Sequence, residues 1–185
     1  PRRLGKRGIK NMNSIRDGRC GEEVLLQGNE AIARGALEGG LAWAGGYPGN
    51  PSSEMLETLA QAAQPDRLYV EWSVNEKVAL EGAAAASLSG LRALASMKQN
   101  GVNVCLDSLT TLALGGIKAG LVLVSADDPS SISSSNEEDS RCAPALAHLP
   151  LLEPATPPDA LAITRFARNL SEELGAIRLV PSFSR

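Results

Sequence analysis

From residue 22 onward, short apolar runs alternate with longer stretches in which apolar residues recur at helical spacing. Short apolar runs bounded by turn residues predict buried strands, and a 3.6-residue period predicts helices. The predicted strands are residues 41–44, 68–71, 92–97, 121–125 and 177–180, and a further short apolar run covers 150–152. The predicted helices are residues 29–37, one that opens at Asn50 and Pro51, 76–88, 102–114, one that follows the Ser-rich stretch 130–135, and 158–173.

Strands that alternate with helices of about three turns predict an α/β fold with a mostly parallel sheet. We expect a single domain whose sheet is flanked by helices on both faces. Ligands of such sheets bind beyond the carboxyl ends of the strands. Four loops are therefore the candidates for a functional site, namely residues 45–50, 72–75, 98–101 and 126–136.

Asparagine, proline and glycine mark the predicted ends of the first two helices. Asn29 is predicted to cap the first helix, and the pair Gly39 and Gly40 is predicted to end it. Asn50 is predicted to cap the second helix, because Pro51 behind it suits the first helical position.

The composition is that of an ordinary globular protein, with 43% hydrophobic and 21% charged residues in a chain of 185. No run approaches the ~20 apolar residues that cross a bilayer, and no signal-peptide core is visible. The three cysteines, Cys20, Cys105 and Cys142, are odd in number and widely spaced. This spacing argues against a disulfide framework and against an iron–sulfur cluster. A cytoplasmic protein with reduced thiols and no membrane partner is expected.

The charge is distributed unevenly along the chain. Residues 1–20 carry seven basic side chains and one acidic one, whereas the remainder carries 11 basic and 20 acidic residues. Because this segment lacks aromatics and a periodic apolar face, residues 1–21 are predicted to be a disordered tail that binds no nucleic acid. Met12 stands just ahead of the patterned sequence, so residues 1–11 are interpreted as lying upstream of the natural start. The predicted domain is residues 22–185.

A glycine-rich turn over residues 45–49 lies between the first predicted strand and the second predicted helix. The free N–H groups and positive dipole end of a helix start can receive a polar ligand group. The turn has neither the Gly-Lys-Ser/Thr of a Walker loop nor the spacing of a dinucleotide fingerprint. On the local pattern alone, an ordinary strand–helix turn is favoured over a binding loop.

Few other positions carry chemistry that the sequence alone can assign. Glu76 opens a predicted helix, where the dipole favours an acid, so its local interpretation is structural. Asp127 and Asp128 follow a strand but lack the spacing of a calcium loop. His148 is the only histidine and has no visible acid–base partner. We therefore assign no metal site and no catalytic triad.

Five segments, taken in order, resemble a known family. The likeness is to the amino-terminal, aminopyrimidine-binding domain of the indolepyruvate:ferredoxin oxidoreductase alpha subunit, in the 2-oxoacid:ferredoxin oxidoreductase superfamily. It runs from about residue 24 to residue 182. The segments are residues 28–36, 46–54, 71–81, 126–129 and 136–141.

The resemblance implies a catalytic role for Glu76. Enzymes of this family use thiamine diphosphate to decarboxylate an aryl pyruvate oxidatively, form an acyl-CoA and pass electrons to ferredoxin. A glutamate at the position of Glu76 hydrogen-bonds the pyrimidine ring of the cofactor and so favours the imino tautomer, whose nitrogen acts as an internal base. The other residues implied to bind the cofactor are Gly46, Tyr47, Pro48, Gly49 and Asn50. The implied substrate-pocket candidates are Asn50, Gln99, Asn136 and Arg141.

The same resemblance implies that the thiamine diphosphate site is shared with other parts of a complex. No Gly-Asp-Gly motif for Mg²⁺-diphosphate and no Cys-x-x-Cys run is present. We expect Mg²⁺ and the 4Fe-4S clusters on the remaining alpha-subunit domains and a beta subunit, in an oligomer. Ferredoxin, CoA and an aryl pyruvate are the other expected partners, and this fragment alone is expected to be inactive.

Two departures from the family pattern keep other functions open. Asn50 stands where the family usually has Thr, and Gln99 stands where it usually has His. Since Gln99 cannot titrate, any proton transfer at that position is lost. One alternative is a degenerate, non-catalytic assembly or regulatory domain of the same fold. Another is a nucleotide-binding α/β module, which would bind a free nucleotide by itself.

Overall fold

Five strands form a single parallel sheet in the computed structural model, which describes residues 14–17 and 24–183. Their order across the sheet is β2-β1-β3-β4-β5, and all four neighbouring pairs are parallel. The strands are β1 (Trp43–Gly46), β2 (Tyr69–Trp72), β3 (Ala93–Lys98), β4 (Leu121–Asp127) and β5 (Arg178–Phe183).

Helices connect these strands. They are α1 (Ser14–Asp17), α2 (Gly28–Glu38), α3 (Ser53–Ala62), α4 (Glu76–Leu88), α5 (Gln99–Val104), α6 (Leu106–Gly115), α7 (Cys142–Leu146) and α8 (Pro157–Leu174). None of the described helices is both long and apolar enough to cross a membrane.

The sheet has a hydrophobic core on each face, because successive strand residues point to opposite sides. In β3, Leu94 packs with α2, α3 and α8, whereas Ala93 and Ala95 pack with α4, α5 and α6. In β4, Val122 faces the first set of helices and Leu123 faces the second. The predicted α/β fold, with helices on both faces of a parallel sheet, is therefore confirmed.

The strand order contains one reversal. From β1 the chain crosses to β2 on one side, then returns past β1 to β3 on the other. The two connections also use opposite faces, because α3 packs in the core of α2 and α8 while α4 packs in the other core. A crevice opens at the carboxyl end of the sheet at such a reversal, and this is where open parallel sheets bind ligands. The reversal lies between β1 and β3.

Two predicted helix caps are wrong. The first helix begins at Gly28, where the Glu30 carboxylate accepts a hydrogen bond of 2.8 Å from the Gln27 N–H. Asn29 lies inside this helix, and its amide donates to the Pro51 carbonyl across 2.9 Å. Asn50 lies in a turn ahead of α3, whose N-cap is Ser52. Asn29 therefore links α2 to the turn ahead of α3, and neither asparagine caps a helix.

The first strand also differs from the prediction, because β1 runs through the glycines that were expected to end it. Gly46 pairs with Ser96 of β3. A Cβ atom on Gly46 would lie 2.5 Å from the Ser96 carbonyl oxygen, so only glycine permits this approach of the two backbones. The glycines therefore extend the strand to the edge of the crevice.

One other predicted helix differs in its bounds. The helix predicted over 102–114 begins earlier and is divided at Cys105, which ends α5 and caps α6. The helix predicted after the Ser-rich stretch is α7, which bends and a turn separate from that stretch. The apolar run 150–152 is extended, and Leu151 bridges to Leu179 of β5 in parallel fashion.

The predicted disordered tail falls largely outside the described residues. Of residues 1–21, only Ser14–Asp17 are described, and these four form the helical turn α1. Ile15 in this turn is buried, and its carbonyl accepts a hydrogen bond from Arg34 of α2. For these four residues the structure shows a turn packed on α2 instead of disorder.

Candidate active site at the carboxyl edge of the sheet

The crevice at the strand reversal is formed by three loops. The turn after β1 (residues 46–50) lies on one side, and the junction of β3 with α5 (residues 98–101) lies on the other. The loop after β2 is bound to the end of β1, because the Ser73 N–H donates to the Gly46 carbonyl across 2.8 Å, and Glu76 behind this loop lies against Gly101. These are three of the four loops that the sequence predicted at the ligand-binding edge.

The turn after β1 is fixed by its own hydrogen bonds. The Gly49 carbonyl accepts from the Ser52 N–H and from the Ser52 hydroxyl, each across 2.8 Å, and the Gly49 N–H donates to the Ser53 hydroxyl across 3.0 Å. Tyr47, Pro48 and Asn50 are exposed at the edge of the sheet. The turn is thus held by its backbone and two serines, which leaves these three side chains free for contacts.

Glu76 is the first residue of α4 and projects from the loop after β2. The cap of this helix is Asn75, whose side chain accepts from the Val78 N–H across 2.9 Å. The Glu76 side chain lies against Gly101 of α5. A Cβ atom on Gly101 would be 2.5 Å from its Cγ and 2.8 Å from its Oε1. Within residues 14–17 and 24–183, no hydrogen bond or ion pair engages the Glu76 carboxylate.

The charge of Glu76 affects a neighbouring thiol. Cys105 is fully buried between α5 and α6, and its sulfur lies 3.5 Å from that of Met97. Burial, together with the smaller effect of the negative charge of Glu76, raises the pKa of Cys105 to about 12. Cys105 is therefore a protonated core residue and a poor nucleophile.

Lys98, the last residue of β3, was not among the predicted site residues. Its stem crosses the turn after β1, since a Cβ on Gly49 would lie 2.9 Å from its Cδ. The ammonium donates to the Ser134 hydroxyl across 3.2 Å. Among the described residues, no carboxylate lies within ion-pair distance of this ammonium. Its place directly after a buried strand was the available sequence signal.

Gln99 lies at the crevice edge but faces away from Glu76. Positions 99, 102 and 106 share one face of the helical path, whereas position 101 lies on the opposite face. Gln99, Val102 and Leu106 accordingly line a cleft of about 300 Å³ between α5 and α7. Gln99 is only 1% exposed, and neither polar atom of its amide has a hydrogen-bond partner.

Asn136 and Arg141 lie in the loop after β4, where other polar residues engage them. Asn136 accepts from the Asn100 amide. Arg141 binds Asp139 through two hydrogen bonds of 2.8 Å, and its Nη1 lies 3.7 Å from Glu153. Asp139 raises the pKa of Arg141 by this pairing. Arg141 lines a second cleft of about 300 Å³, and the structure does not bring it against Glu76 or the turn after β1.

The two aspartates that end β4 and begin the next loop have opposite surroundings. Asp127 is buried, which raises its pKa although the Ser140 and Ser125 hydroxyls donate to it across 2.9 Å. Asp128 accepts from the Ser133 N–H across 2.7 Å, a bond that lowers its pKa. Both carboxyls thereby order the loop. In the part of the chain that is described, no group of three metal-ligating side chains is found.

Comparison with known proteins identifies relatives with a shared name. The chain is 46% identical over 165 residues to the indolepyruvate oxidoreductase subunit IorA of Pyrococcus horikoshii, an alignment that covers 89% of this chain and 26% of the relative. The subunit of the same name from Thermococcus kodakarensis is 50% identical over 153 residues, with 83% and 24% covered. That of Methanothermobacter thermautotrophicus is 46% identical over 174 residues, with 94% and 28% covered. The chain therefore spans about a quarter of the length of these relatives. No family model matches it.

A solved structure supports the fold. It is the 2-oxoglutarate:ferredoxin oxidoreductase from Magnetococcus marinus with 2-oxoglutarate, coenzyme A and succinyl-CoA bound. The TM-score is 0.73 at 20% identity, and the alignment covers 85% of this chain and 29% of that one. The arrangement of strands and helices described above is therefore shared with part of that enzyme.

Proposed function

From the premise that this chain belongs to the 2-oxoacid:ferredoxin oxidoreductase superfamily, we propose that it supplies the aminopyrimidine-binding half of a thiamine diphosphate site. The reaction would be the oxidative decarboxylation of a 2-oxoacid to an acyl-CoA. The names of the relatives support indolepyruvate or another aryl pyruvate as the substrate. Residues 22–185 are the domain that carries this half of the site.

One observation carries the proposal: the carboxylate of Glu76 is unengaged at the strand reversal. A carboxylate at a helix start usually finds a local partner, such as a lysine or a neighbouring N–H. Within the described residues Glu76 has none. Its near neighbour Lys77 is occupied by Asp107 across 2.7 Å. Glu76 is thus held in position by Gly101 and free to accept a proton-bearing group of a ligand.

The residues of the crevice fit an aminopyrimidine ring. When its ring nitrogen carries a proton, that N–H needs a charged acceptor in a fixed position. The Glu76 carboxylate provides this acceptor. Its flat apolar faces need non-polar surface, and the exposed Tyr47, Trp72 and Val74 provide this at the same edge of the sheet. Gly46, Pro48, Gly49 and Asn50 complete the proposed cofactor wall on the side of β1.

In the proposed mechanism, Glu76 holds a proton at the pyrimidine nitrogen and so increases the basicity of the exocyclic nitrogen. Thiamine diphosphate, when bound, supplies the carbon nucleophile and electron sink for loss of CO₂ from the 2-oxoacid. Gly101 orients the Glu76 side chain, and Asn75 fixes the helix start that carries it. Of the four implied substrate-pocket residues, Asn50 remains proposed for the crevice, because it belongs to the turn after β1. Gln99 and Arg141 line separate clefts, and Asn136 accepts from Asn100.

The rest of the proposed enzyme lies on other parts of the complex. Mg²⁺ and the diphosphate would be held by a second domain, and 4Fe-4S clusters would carry electrons to ferredoxin. Because the chain spans about a quarter of its relatives, the remaining alpha-subunit domains and a beta subunit are the proposed partners. CoA would receive the acyl group.

The test is reduction of ferredoxin or a viologen dye by the reconstituted full-length complex with indolepyruvate, CoA and thiamine diphosphate. We expect Glu76→Gln to lower kcat on the order of 10²- to 10⁴-fold, the range for loss of an acid–base group. The matched control is Glu81→Gln on the same helix. Its carboxylate accepts from Ser108 and lies on the outer side of α4 near Lys77.

Three outcomes are informative. Loss of activity in Glu76→Gln alone supports the proposal. Full activity in Glu76→Gln shows that Glu76 does not assist the cofactor. A wild-type complex that binds neither thiamine diphosphate nor indolepyruvate favours the degenerate, non-catalytic domain.

A further inference from the structure

The end of β3 places an unpaired cation at the strand reversal. Lys98 is partly buried, and its stem is pinned over Gly49 in the turn after β1. Its only polar contact among the described residues is the hydroxyl of Ser134, 3.2 Å away. By contrast, Lys77 in α4 forms an ion pair with Asp107 across 2.7 Å. A cation held in place without a counter-charge is available to form a charge-assisted hydrogen bond with an anionic ligand.

A second observation lies on the same face of the strand. Ser96 precedes Lys98 by two residues, so the two side chains point to the same side of β3. Ser96 is 2% exposed, and its hydroxyl has no hydrogen-bond partner among the described residues. Buried hydroxyls are normally paired, because leaving one unpaired costs roughly 1–3 kcal/mol. The pair Ser96 and Lys98 therefore presents one unused hydrogen-bonding group and one unused charge beside Gly46.

The chemistry of the proposed reaction defines the anion. A 2-oxoacid carries its carboxylate on the carbon next to the reacting carbonyl, so the two must bind within a few ångströms of each other. Glu76 lies against Gly101 in α5, and the Lys98 stem lies against Gly49 in the turn after β1, so both side chains lie at the carboxyl edge of the sheet where the strand order reverses. We propose that Lys98 recognises the carboxylate of the 2-oxoacid substrate and thereby positions the carbonyl at the cofactor. This inference rests on the proposed function.

A lysine suits this role because the carboxylate leaves as CO₂. Its ammonium is a compact charge with three rotatable N–H donors, whereas a bidentate arginine would hold the carboxylate in one fixed geometry. The hydroxyl of Ser134 holds the Lys98 ammonium in position before substrate binds. Since Arg141 is engaged by Asp139 and Glu153, it does not compete for the same anion.

The test compares the steady-state kinetics of the full complex carrying Lys98→Met with wild type. We expect KM for the 2-oxoacid to rise on the order of 10- to 100-fold, the loss typical of a hydrogen bond to a charged group, with a smaller change in kcat. Lys98→Arg keeps the charge and should lie between wild type and Lys98→Met. The matched control is Lys118→Met, which removes an exposed lysine at the opposite edge of the sheet.

A binding measurement separates charge recognition from a change in packing. Indole-3-acetate carries a charged carboxylate, whereas indole-3-acetamide carries a neutral carboxamide at the same position. Wild type should prefer the acetate as a competitive inhibitor, and Lys98→Met should bind both with similar inhibition constants. An unchanged preference in Lys98→Met contradicts the inference even if its melting temperature falls.

Other anions are distinguished in the same experiment. If Lys98→Met raises KM for CoA or weakens thiamine diphosphate binding while KM for the 2-oxoacid stays constant, Lys98 binds a phosphate group and the inference is wrong. If the wild-type complex shows no thiamine-dependent activity, the proposed function fails first. If wild type is active and Lys98→Met has the same kcat and the same KM for the 2-oxoacid, only the role of Lys98 is contradicted.

Discussion

At the scale of single residues, Glu76 depends on a neighbour that has no side chain. Gly101 faces the Glu76 carboxyl so closely that an added methyl group would overlap its Cγ and Oε1. The Glu76 side chain is flexible, so it would move away and leave the fold intact. The Glu76 carboxylate would then no longer be in position to hydrogen-bond a ligand in the crevice.

We therefore predict that Gly101→Ala lowers kcat of the full complex on the order of 10- to 100-fold, since a displacement of about 1 Å in a catalytic group has such effects. The melting temperature should stay close to that of wild type, because alanine also favours the helix. The control is Gly115→Ala in α6, where an added Cβ meets nothing within 4 Å. Equal kcat in the two variants would mean that Gly101 does not position Glu76.

Residue identities were easier to predict than residue orientations. The position of Glu76 at a helix start was visible, because Asn75 is a good cap and an alanine-rich helix follows. The direction of Gln99 was not visible, since it depends on α5 starting at Gln99 three residues earlier than the apolar pattern indicated. Lys98 was overlooked because its lack of a carboxylate partner is a property of the folded structure.

At the scale of elements, α4 is the helix that the sequence determines best. Its predicted range, 76–88, equals the observed Glu76–Leu88. Asn75 caps it through a hydrogen bond from the Val78 N–H. This cap also fixes where Glu76 leaves the backbone, so the stability of the helix start and the geometry of the site have a common origin.

Asn75→Ala should lower the free energy of unfolding by about 1 kcal/mol, the usual cost of removing a cap. Asn75→Asp keeps the acceptor and should lose much less. Urea denaturation followed by circular dichroism measures both. A loss of equal size in Asn75→Asp and Asn75→Ala would show that the cap hydrogen bond is not the cause.

Two elements were predicted poorly, one because of local turn hydrogen bonds and the other because of a strand pairing distant in sequence. Asn50 and Pro51 have a good helix-start pattern, yet the turn hydrogen bonds of Gly49 to Ser52 and Ser53 delay α3 to Ser53. Gly46 was expected to break its strand, yet the backbone of Ser96 approaches it and extends the strand. Local propensity is a weak guide where long-range backbone pairing competes with it.

At the scale of the whole molecule, one ion pair joins the amino ends of the central strands to α8. Arg92, just before β3, binds Glu172 across 2.7 Å, and the Gly120 N–H donates to the same carboxylate across 3.2 Å. Arg92 lowers the pKa of Glu172 below its ordinary value of 4.5. A lowered pKa in the folded state stabilises the fold above pH 4.5, and this stabilisation is lost as the pH falls through the folded-state pKa.

The melting temperature of Glu172→Gln should therefore lie below that of wild type at pH 7, with the difference shrinking as the pH falls below 4.5. Thermal denaturation at several pH values measures this difference. A difference that stays constant as the pH falls through the folded-state pKa of Glu172 would assign the effect of the substitution to packing.

The class of fold was predictable from the alternation of strands and helices, but the strand order was not. Hydrophobic periodicity places residues on faces and contains no information about which strand lies beside which. The reversal between β1 and β3 is a product of the whole sheet, and it assembles the crevice from loops that are distant in sequence. Two of the five resembling segments, 46–54 and 71–81, contain the loops after β1 and β2, whereas the junction at 98–101 lies outside all five.

The role of Glu76 is tested most directly by the rate of hydrogen–deuterium exchange at the reactive thiazolium carbon of thiamine diphosphate bound to the full-length complex without 2-oxoacid. Because Glu76 is proposed to promote loss of this proton, exchange should be slower by about 10²-fold or more in Glu76→Gln and unchanged in Glu81→Gln. Equal exchange rates in wild type and Glu76→Gln, with the cofactor fully bound in both, would contradict the role proposed for Glu76.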